Sequence, residues 1–208
     1  MLDKTTSMVG GGETPTYHPL QPVQCIAFAD KKERLRNMRY SLSKKAGIKR
    51  IQELPVSLQP RISIVGGGPS LNDTWKDIQH PIVVCGSAHD HAVRLGIKPD
   101  FALECDPSLN QIGNYKENAD GCIYLVASRC HRSMFKHLQG REIRLWHMWE
   151  TDLGKPPYQG EPAFLCGATC VLAAIPVALT MGFREFDFYG VDSSFETYEN
   201  HHAYPQDE

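Results

Sequence analysis

Three stretches of this chain carry residue types whose spacing can do chemistry. The first is GGGPSL, residues 66–71. Glycines allow positive φ and close backbone approach, Pro69 suits a first helical position, and Ser70 puts a hydroxyl near a helix N-terminus, where anions are favoured. Gly66, Gly67, Gly68 and Ser70 are therefore candidates for holding a phosphate, and the same residues also make an ordinary tight turn. Leu71 stands where a G-x-G-x-x-G loop needs its third glycine, and no Gly-Lys-Ser/Thr follows as in a Walker loop. The second stretch is KPDFALECDP, residues 98–107. Glu104 and Asp106 are two apart, so in a strand they point the same way, where an acid can bind a ribose hydroxyl, hold a metal ion or end the strand in an Asp-Pro turn. The third is the tail FYGVDSSFETYENHHAYP, in which Asp192 is followed by His201 and His202. Imidazole transfers protons near neutral pH and a nearby carboxylate can orient it; paired terminal histidines are otherwise plain surface residues.

These groups need elements to bring them together. Short β-rich runs at 61–65, 82–88, 101–105, 122–128, 141–148 and 185–192 alternate with helical stretches, among them HDHAVRLG, HRSMFKHL and an apolar helix over 168–182. This alternation predicts an α/β fold, a Rossmann-like, mostly parallel sheet with flanking helices. In such sheets ligands bind beyond the carboxyl ends of the strands, where strand order reverses. The positions to gather there are Gly66–Leu71, Ser87–His91, Glu104–Pro107, Ser128–His131 and Gly190–Ser194. Pro176 lacks a backbone donor and predicts a kink or break in the last long helix.

Before this domain, assigned to residues 61–208, an extended arm is expected over 1–24, rich in Gly, Thr and Pro, and a basic helical segment over 25–60. Residues 1–61 hold eleven Lys and Arg against five Asp and Glu, whereas 62–208 hold eleven against nineteen. Residues 31–50 alone carry nine basic groups and one acid, either a solvated helix face beside an acidic body or a contact surface. Arm and basic segment together are candidates for assembly as a homo-oligomer or within something larger. No aromatic residues interleave for base stacking, so nucleic acid is not expected as a partner.

At 208 residues with 41% apolar and 22% charged, the chain has the composition of one globular domain. Its longest apolar stretch, Val171–Leu179, is well short of the roughly 20 residues that cross a bilayer, and no secretory signal opens it. Seven cysteines without C-x-x-C predict reduced thiols in a cytoplasm. Cys166 and Cys170 have no companion pair at zinc spacing, so no zinc is expected.

The order GGGPSL, IKPDFALECDP, CGATCVLAAIPVALTMGFREFDFYGVDSS and HHAY resembles the superfamily joining Maf flagellin glycosyltransferases to MptE-like 6-hydroxymethylpterin diphosphokinases, over roughly residues 62–204. Bacterial sialyltransferases share a similar G-x-G-P-S-L opening, and similar domains occur among phage-encoded proteins, which would place the chain in a host cytoplasm or virion. The resemblance implies a nucleotide or nucleotide-sugar donor held by Gly66, Gly67, Gly68, Ser70, Ser87, Asp106, Gly167 and Thr169. It assigns catalysis to Asp192 as orienting acid and to His202, or its neighbour His201, as base. The pterin enzymes resemble P-D-x-x-x-x-D-x-D, with paired acids for a Mg²⁺-bound triphosphate; here Cys105 replaces the first acid of the pair. Mg²⁺ would then fall to Glu104 and Asp106. Three functions follow: glycosyl transfer from a CMP-activated sugar to a hydroxyl acceptor, diphosphate transfer from ATP to a pterin-type alcohol, and a non-catalytic nucleotide-binding module used in assembly.

Overall fold

The computed structural model describes residues 29–43, 47–155, 157–158, 160–192 and 202–204. The arm expected over 1–24 and His201 lie outside the described residues. Seven parallel strands form one sheet: β1 (Lys49–Arg50), β2 (Arg61–Val65), β3 (Ile82–Cys85), β4 (Phe101–Glu104), β5 (Ile123–Ala127), β6 (Glu142–Trp146) and β7 (Glu185–Tyr189), in the order β1-β6-β5-β4-β3-β2-β7. The expected α/β fold with a parallel sheet is the fold observed. β2 is the pivot of this order. Strands β2 to β6 march in one direction, and the chain then crosses back to lay β7 on the free side of β2, in register from Arg61↔Glu185 to Val65↔Tyr189. Strand order reverses there, which puts the ligand crevice between the β2 and β7 ends.

Helix α5 (Cys170–Thr180) makes the crossing. Its buried face is Ala173, Ala174, Val177 and Ala178, small enough for the helix to lie close on Ile62, Ile64, Val83 and Leu103. Pro176 does not break it: one helix runs through residue 176, and Leu172, whose carbonyl loses its donor, is half-exposed so that water can serve it. On the other face α2 (Leu71–Thr74) and α3 (His89–Arg94) cover Val65, Ile82 and Val84.

The basic segment belongs to this body rather than preceding it. β1 pairs with β6, and α1 (Lys31–Ser43), capped by Asp30 Oδ1 accepting the Glu33 amide at 2.7 Å, packs on α4 (Arg132–His137). Asn37 and Met38 of α1 are wholly buried, and Asn37 Nδ2 and Ser41 Oγ donate to the carbonyls of Arg129 and Ser128 just beyond β5. Helix α1 therefore caps the carboxyl end of β5. Part of the positive charge is neutralised internally, Arg34 by Glu150 and Asp152 and Arg50 by Glu161. No described helix is long and apolar enough to cross a membrane.

Candidate functional site

With α1 over β5, the open part of the carboxyl edge lies above β2, β3, β4 and β7. A cleft of about 480 Å³ opens there, lined by Gly66, Gly67, Gly68, Ser87, Asp106, Thr169, Asp192 and His202, together with Cys85, Gly86, Gln111, Cys170, Val171, Gly190 and Val191. Eight residues singled out from the sequence, drawn from five separate stretches, thus share one rim. Its volume is that of an ordinary small-molecule site.

The glycine loop works differently from the sequence expectation. Gly66 N–H donates to the Tyr189 carbonyl and Gly68 N–H to the Gly190 carbonyl, each at 2.8 Å. The Ser70 amide donates to Asp192 Oδ2 at 2.9 Å, and the Ser70 hydroxyl to Asp192 Oδ1. Pro69 has no N–H, so only Gly67 keeps an amide without a partner among the described residues. The expected phosphate cradle is already filled. Its anion is the chain's own Asp192 carboxylate, seated where a helix N-terminus favours negative charge. Ser70 itself does not line the cleft, being turned to Asp192.

The anion-favouring feature that does face the cleft is the start of α5. Thr169 is its N-cap, its hydroxyl accepting the Leu172 amide at 3.2 Å, and Thr169, Cys170 and Val171 form the wall. Cys170 and Val171 belong to the first turn of α5, whose amides have no intrahelical acceptor, and the positive end of the helix dipole lies at this wall. Gly167, expected beside the nucleotide, is a packing residue: a Cβ there would stand 2.5 Å from the Leu172 side chain.

The tail is pinned across the loop. The Ala203 amide donates to the Gly67 carbonyl at 2.9 Å, Asn72 Nδ2 donates to the Ala203 carbonyl at 2.8 Å, and Tyr204 hydroxyl donates to Ser87 Oγ at 2.7 Å. The Tyr204 ring stacks on His202 and lies tilted against His91, with ring centroids 5.4 and 5.0 Å away. His202 Nδ1 lies 3.3 Å from the Gly67 carbonyl, which can only accept, so the hydrogen bond forms in the tautomer that carries the proton on Nδ1. Sequence reasoning placed His91 at this edge within Ser87–His91 but missed Asn72 and Gln111. Nothing in their local sequence marks them: Asn72 gains its role when the tail folds back, and Gln111 when the loop after β4 turns it onto Asp106.

Glu104 and Asp106 do not act as a pair. Asp106 lines the cleft and accepts from the Ser108 amide and Gln111 Nε2, at 2.7 and 3.2 Å. Glu104 is sealed beneath, 1% exposed, its Oε1 accepting the amides of Cys105 and Asp106 at 2.7 Å each and its Oε2 the Tyr115 hydroxyl at 3.2 Å. Burial pushes its carboxyl up to about 7. The strand ends at Glu104, so the two-residue alternation that would align the carboxylates stops before Asp106. Around Glu104 stand sulfur atoms: Cys170 Sγ at 3.5 Å, and Cys105 Sγ 3.3 Å from Cys170 Sγ. A donor set of one carboxylate and two thiols does not fit Mg²⁺, which demands oxygen ligands.

The Ser128–His131 edge is structural. His147 links Ser128 Oγ (2.9 Å from Nδ1) to Glu161 (3.0 Å from Nε2), a hydroxyl–imidazole–carboxylate series like that of a hydrolase. Ser128 and His147 are buried, and Ser41 of α1 donates to the Ser128 carbonyl, so no substrate reaches the hydroxyl. His131 caps α4, its Nδ1 accepting the Ser133 amide.

With this geometry in place, the family model for 6-hydroxymethylpterin diphosphokinase MptE-like proteins matches residues 33–197. The chain belongs to the MptE-like family. The match begins inside α1, in keeping with the basic segment as part of the domain. Among solved structures, the MptE-like chain is similar to the Maf glycosyltransferase from Magnetospirillum magneticum AMB-1, with a TM-score of 0.67 and 20% identity over 83% of this chain. It spans 29% of the length of that protein. A search of curated proteins finds no match. The fold of the MptE-like chain is thus shared with the Maf/MptE-like superfamily.

Proposed function

We propose that this MptE-like chain is a nucleotide-dependent transferase that moves a glycosyl group from a CMP-activated sugar to a hydroxyl acceptor. The observation that carries this reading is a cleft at the strand-order reversal that joins the α5 N-terminus, Asp106 as the acid not engaged by the glycine loop, and one histidine. A CMP-sugar brings a single phosphate, which the amides of Cys170, Val171 and Gly67 can serve without a metal. Asp106 and Ser87 are then placed for ribose or sugar hydroxyls. His202 Nε2 takes the acceptor proton as the acceptor oxygen forms its bond to the anomeric carbon. The anomeric carbon–phosphate oxygen bond breaks and CMP leaves, its charge met by the α5 amides. Asp192 holds Ser70 and the loop under the tail, a positioning role.

A second reading is favoured by the family name: diphosphate transfer from ATP to a 6-hydroxymethylpterin-type alcohol. There the acceptor oxygen attacks the β-phosphorus and AMP leaves. Against it stands the absence of Glu104 from the cleft wall, which removes one of the two acids that would share Mg²⁺. Mass spectrometry of reactions containing either CMP-sugars or ATP with Mg²⁺ and a pterin alcohol separates the readings. Release of CMP with a glycosylated acceptor supports the first, and release of AMP establishes the second. Nucleotide binding without either product supports a non-catalytic module.

A further inference from the structure

The cluster beneath the cleft floor has a coherent chemistry of its own. Glu104, Cys105 and Cys170 each offer one ligand atom, and all three atoms lie within 4.8 Å of one another. Cys105 and Cys170 are far apart in sequence and no spacing rule connects them; the sheet does, by ending β4 beside the first turn of α5. We propose that Glu104, Cys105 and Cys170 form a binding site for one borderline-soft divalent cation of the Zn²⁺ type, at the floor of the cleft.

Three features argue for it. The spacing suits tetrahedral coordination, for which ordinary zinc–sulfur and zinc–oxygen lengths give edges of about 3.8 Å between sulfurs and about 3.5 Å between sulfur and oxygen. The observed Cys170 Sγ–Glu104 Oε1 separation is 3.5 Å, and the two sulfurs, at 3.3 Å, need to part by only about half an ångström. Outer partners are already present: the amides of Cys105 and Asp106 and the hydroxyl of Tyr115 hold the Glu104 carboxylate in place, as ligating carboxylates are held elsewhere. Finally, the site has an approach. Cys170 is the first residue of α5 and lines the cleft beside Gly86. A Cβ at Gly86 would stand 3.2 Å from Cys170 Sγ, so glycine there keeps that side of the sulfur clear of a side chain. Binding replaces two S–H bonds by two metal–sulfur bonds and releases those two protons, together with any proton on Glu104, with no change in oxidation state.

Co²⁺ reports the ligands directly. Titrating the reduced, metal-stripped full chain should give one equivalent of a thiolate-to-cobalt charge-transfer band and tetrahedral d–d bands, both displaced by Zn²⁺. Cys105→Ser and Cys170→Ser should each diminish the charge-transfer band, and the double variant should abolish it. Cys122→Ser, at the opposite, amino end of β5, should leave it intact. Far-ultraviolet circular dichroism establishes that each variant is folded before it is scored. Absence of the band in the folded wild-type chain, or its survival in the folded double variant, overturns the proposal. So does an intact mass lighter by two hydrogens after reductant is removed by gel filtration in air, mapped to a Cys105–Cys170 peptide, if the reduced form binds no Co²⁺. None of these readouts depends on which nucleotide the cleft takes.

Discussion

At the scale of the residue, the informative feature is a carboxylate where a phosphate was expected. Asp192 satisfies the Ser70 amide and hydroxyl, and so fixes the loop without any ligand. Asp192→Ala should cost about 1 kcal/mol in urea denaturation, the ordinary loss of a helix-capping acceptor. Its effect on calorimetric CMP affinity should be small, because the donors assigned to the phosphate lie on α5; a large loss would make Asp192 a nucleotide ligand instead. His202→Ala should lower the transfer rate by about 10²–10⁴ while CMP affinity stays unchanged, since the tail keeps its Ala203–Gly67 anchor. Equal losses of rate and affinity in titration calorimetry and turnover would make the ring an anchor only. Both residues were legible in the sequence as an acid ending a strand and a histidine that a short loop can return to the same edge. Glu104 was legible as an acid but not in its surroundings. Its neighbour Cys170 comes from an element that sequence spacing cannot relate to it.

At the scale of the element, the glycines serve the approach of β2 to β7. A Cβ on Gly66 would meet the Gly190 carbonyl at 2.5 Å, a Cβ on Gly190 would meet the Gly66 carbonyl at 2.5 Å, and Gly190 has φ +61°. Gly190→Ala therefore combines strain with a backbone clash and should cost about 2–3 kcal/mol in urea denaturation. Gly96→Ala is the matched control: its φ is +90° but nothing lies within 4 Å, so about 1 kcal/mol should be lost. Equal costs would show that crowding at the strand ends is unimportant. The sequence marked this run as glycine-rich, yet the same composition serves phosphate binding or close strand packing, and only the identity of the neighbouring strand decides between them. Strand β1 was missed outright. Two residues, Lys49 and Arg50, show no β pattern, and they are held by pairing with β6 and by the Arg50–Glu161 ion pair. Hydrogen bonding from Arg50, with help from His147, pulls the Glu161 carboxyl down to about 2. A carboxyl with a depressed native pKa stabilises above its unfolded value near 4.5, and that contribution disappears as pH falls from there towards 2. Because Glu161 is partly solvated, Glu161→Gln should cost only about 1 kcal/mol at pH 7 and close to nothing near pH 2, measured by denaturation across that range.

At the scale of the molecule, the sheet edge is divided between a closed and an open half. The α/β class was legible because strand and helix patterns alternate locally. The division was not, because it depends on two long-range facts: α5 returning the chain to β2, and α1 lying over the end of β5. The basic residues of α1 read as a possible contact surface, whereas two of its buried positions, Asn37 and Met38, are what seat it. A ligand in the open half touches loops from β2, β3, β4 and β7 and the start of α5, so its binding should stabilise the whole domain as one unit. At 100 times its dissociation constant a ligand adds about 2.7 kcal/mol to stability, which for a domain of this size raises Tm by about 5–10 °C. CMP should give such a shift, and the same shift with or without Mg²⁺, because the nucleotide phosphate is met by amides and Asp106 is the only acid described on the cleft wall besides the engaged Asp192. ATP, with a triphosphate and no paired acids to carry its metal, should give a smaller one. A thermal-shift series with CMP and ATP, each with and without Mg²⁺, checks this. A large shift confined to ATP with Mg²⁺ would reverse the order of the two transfer reactions and place a metal-bound triphosphate at Asp106.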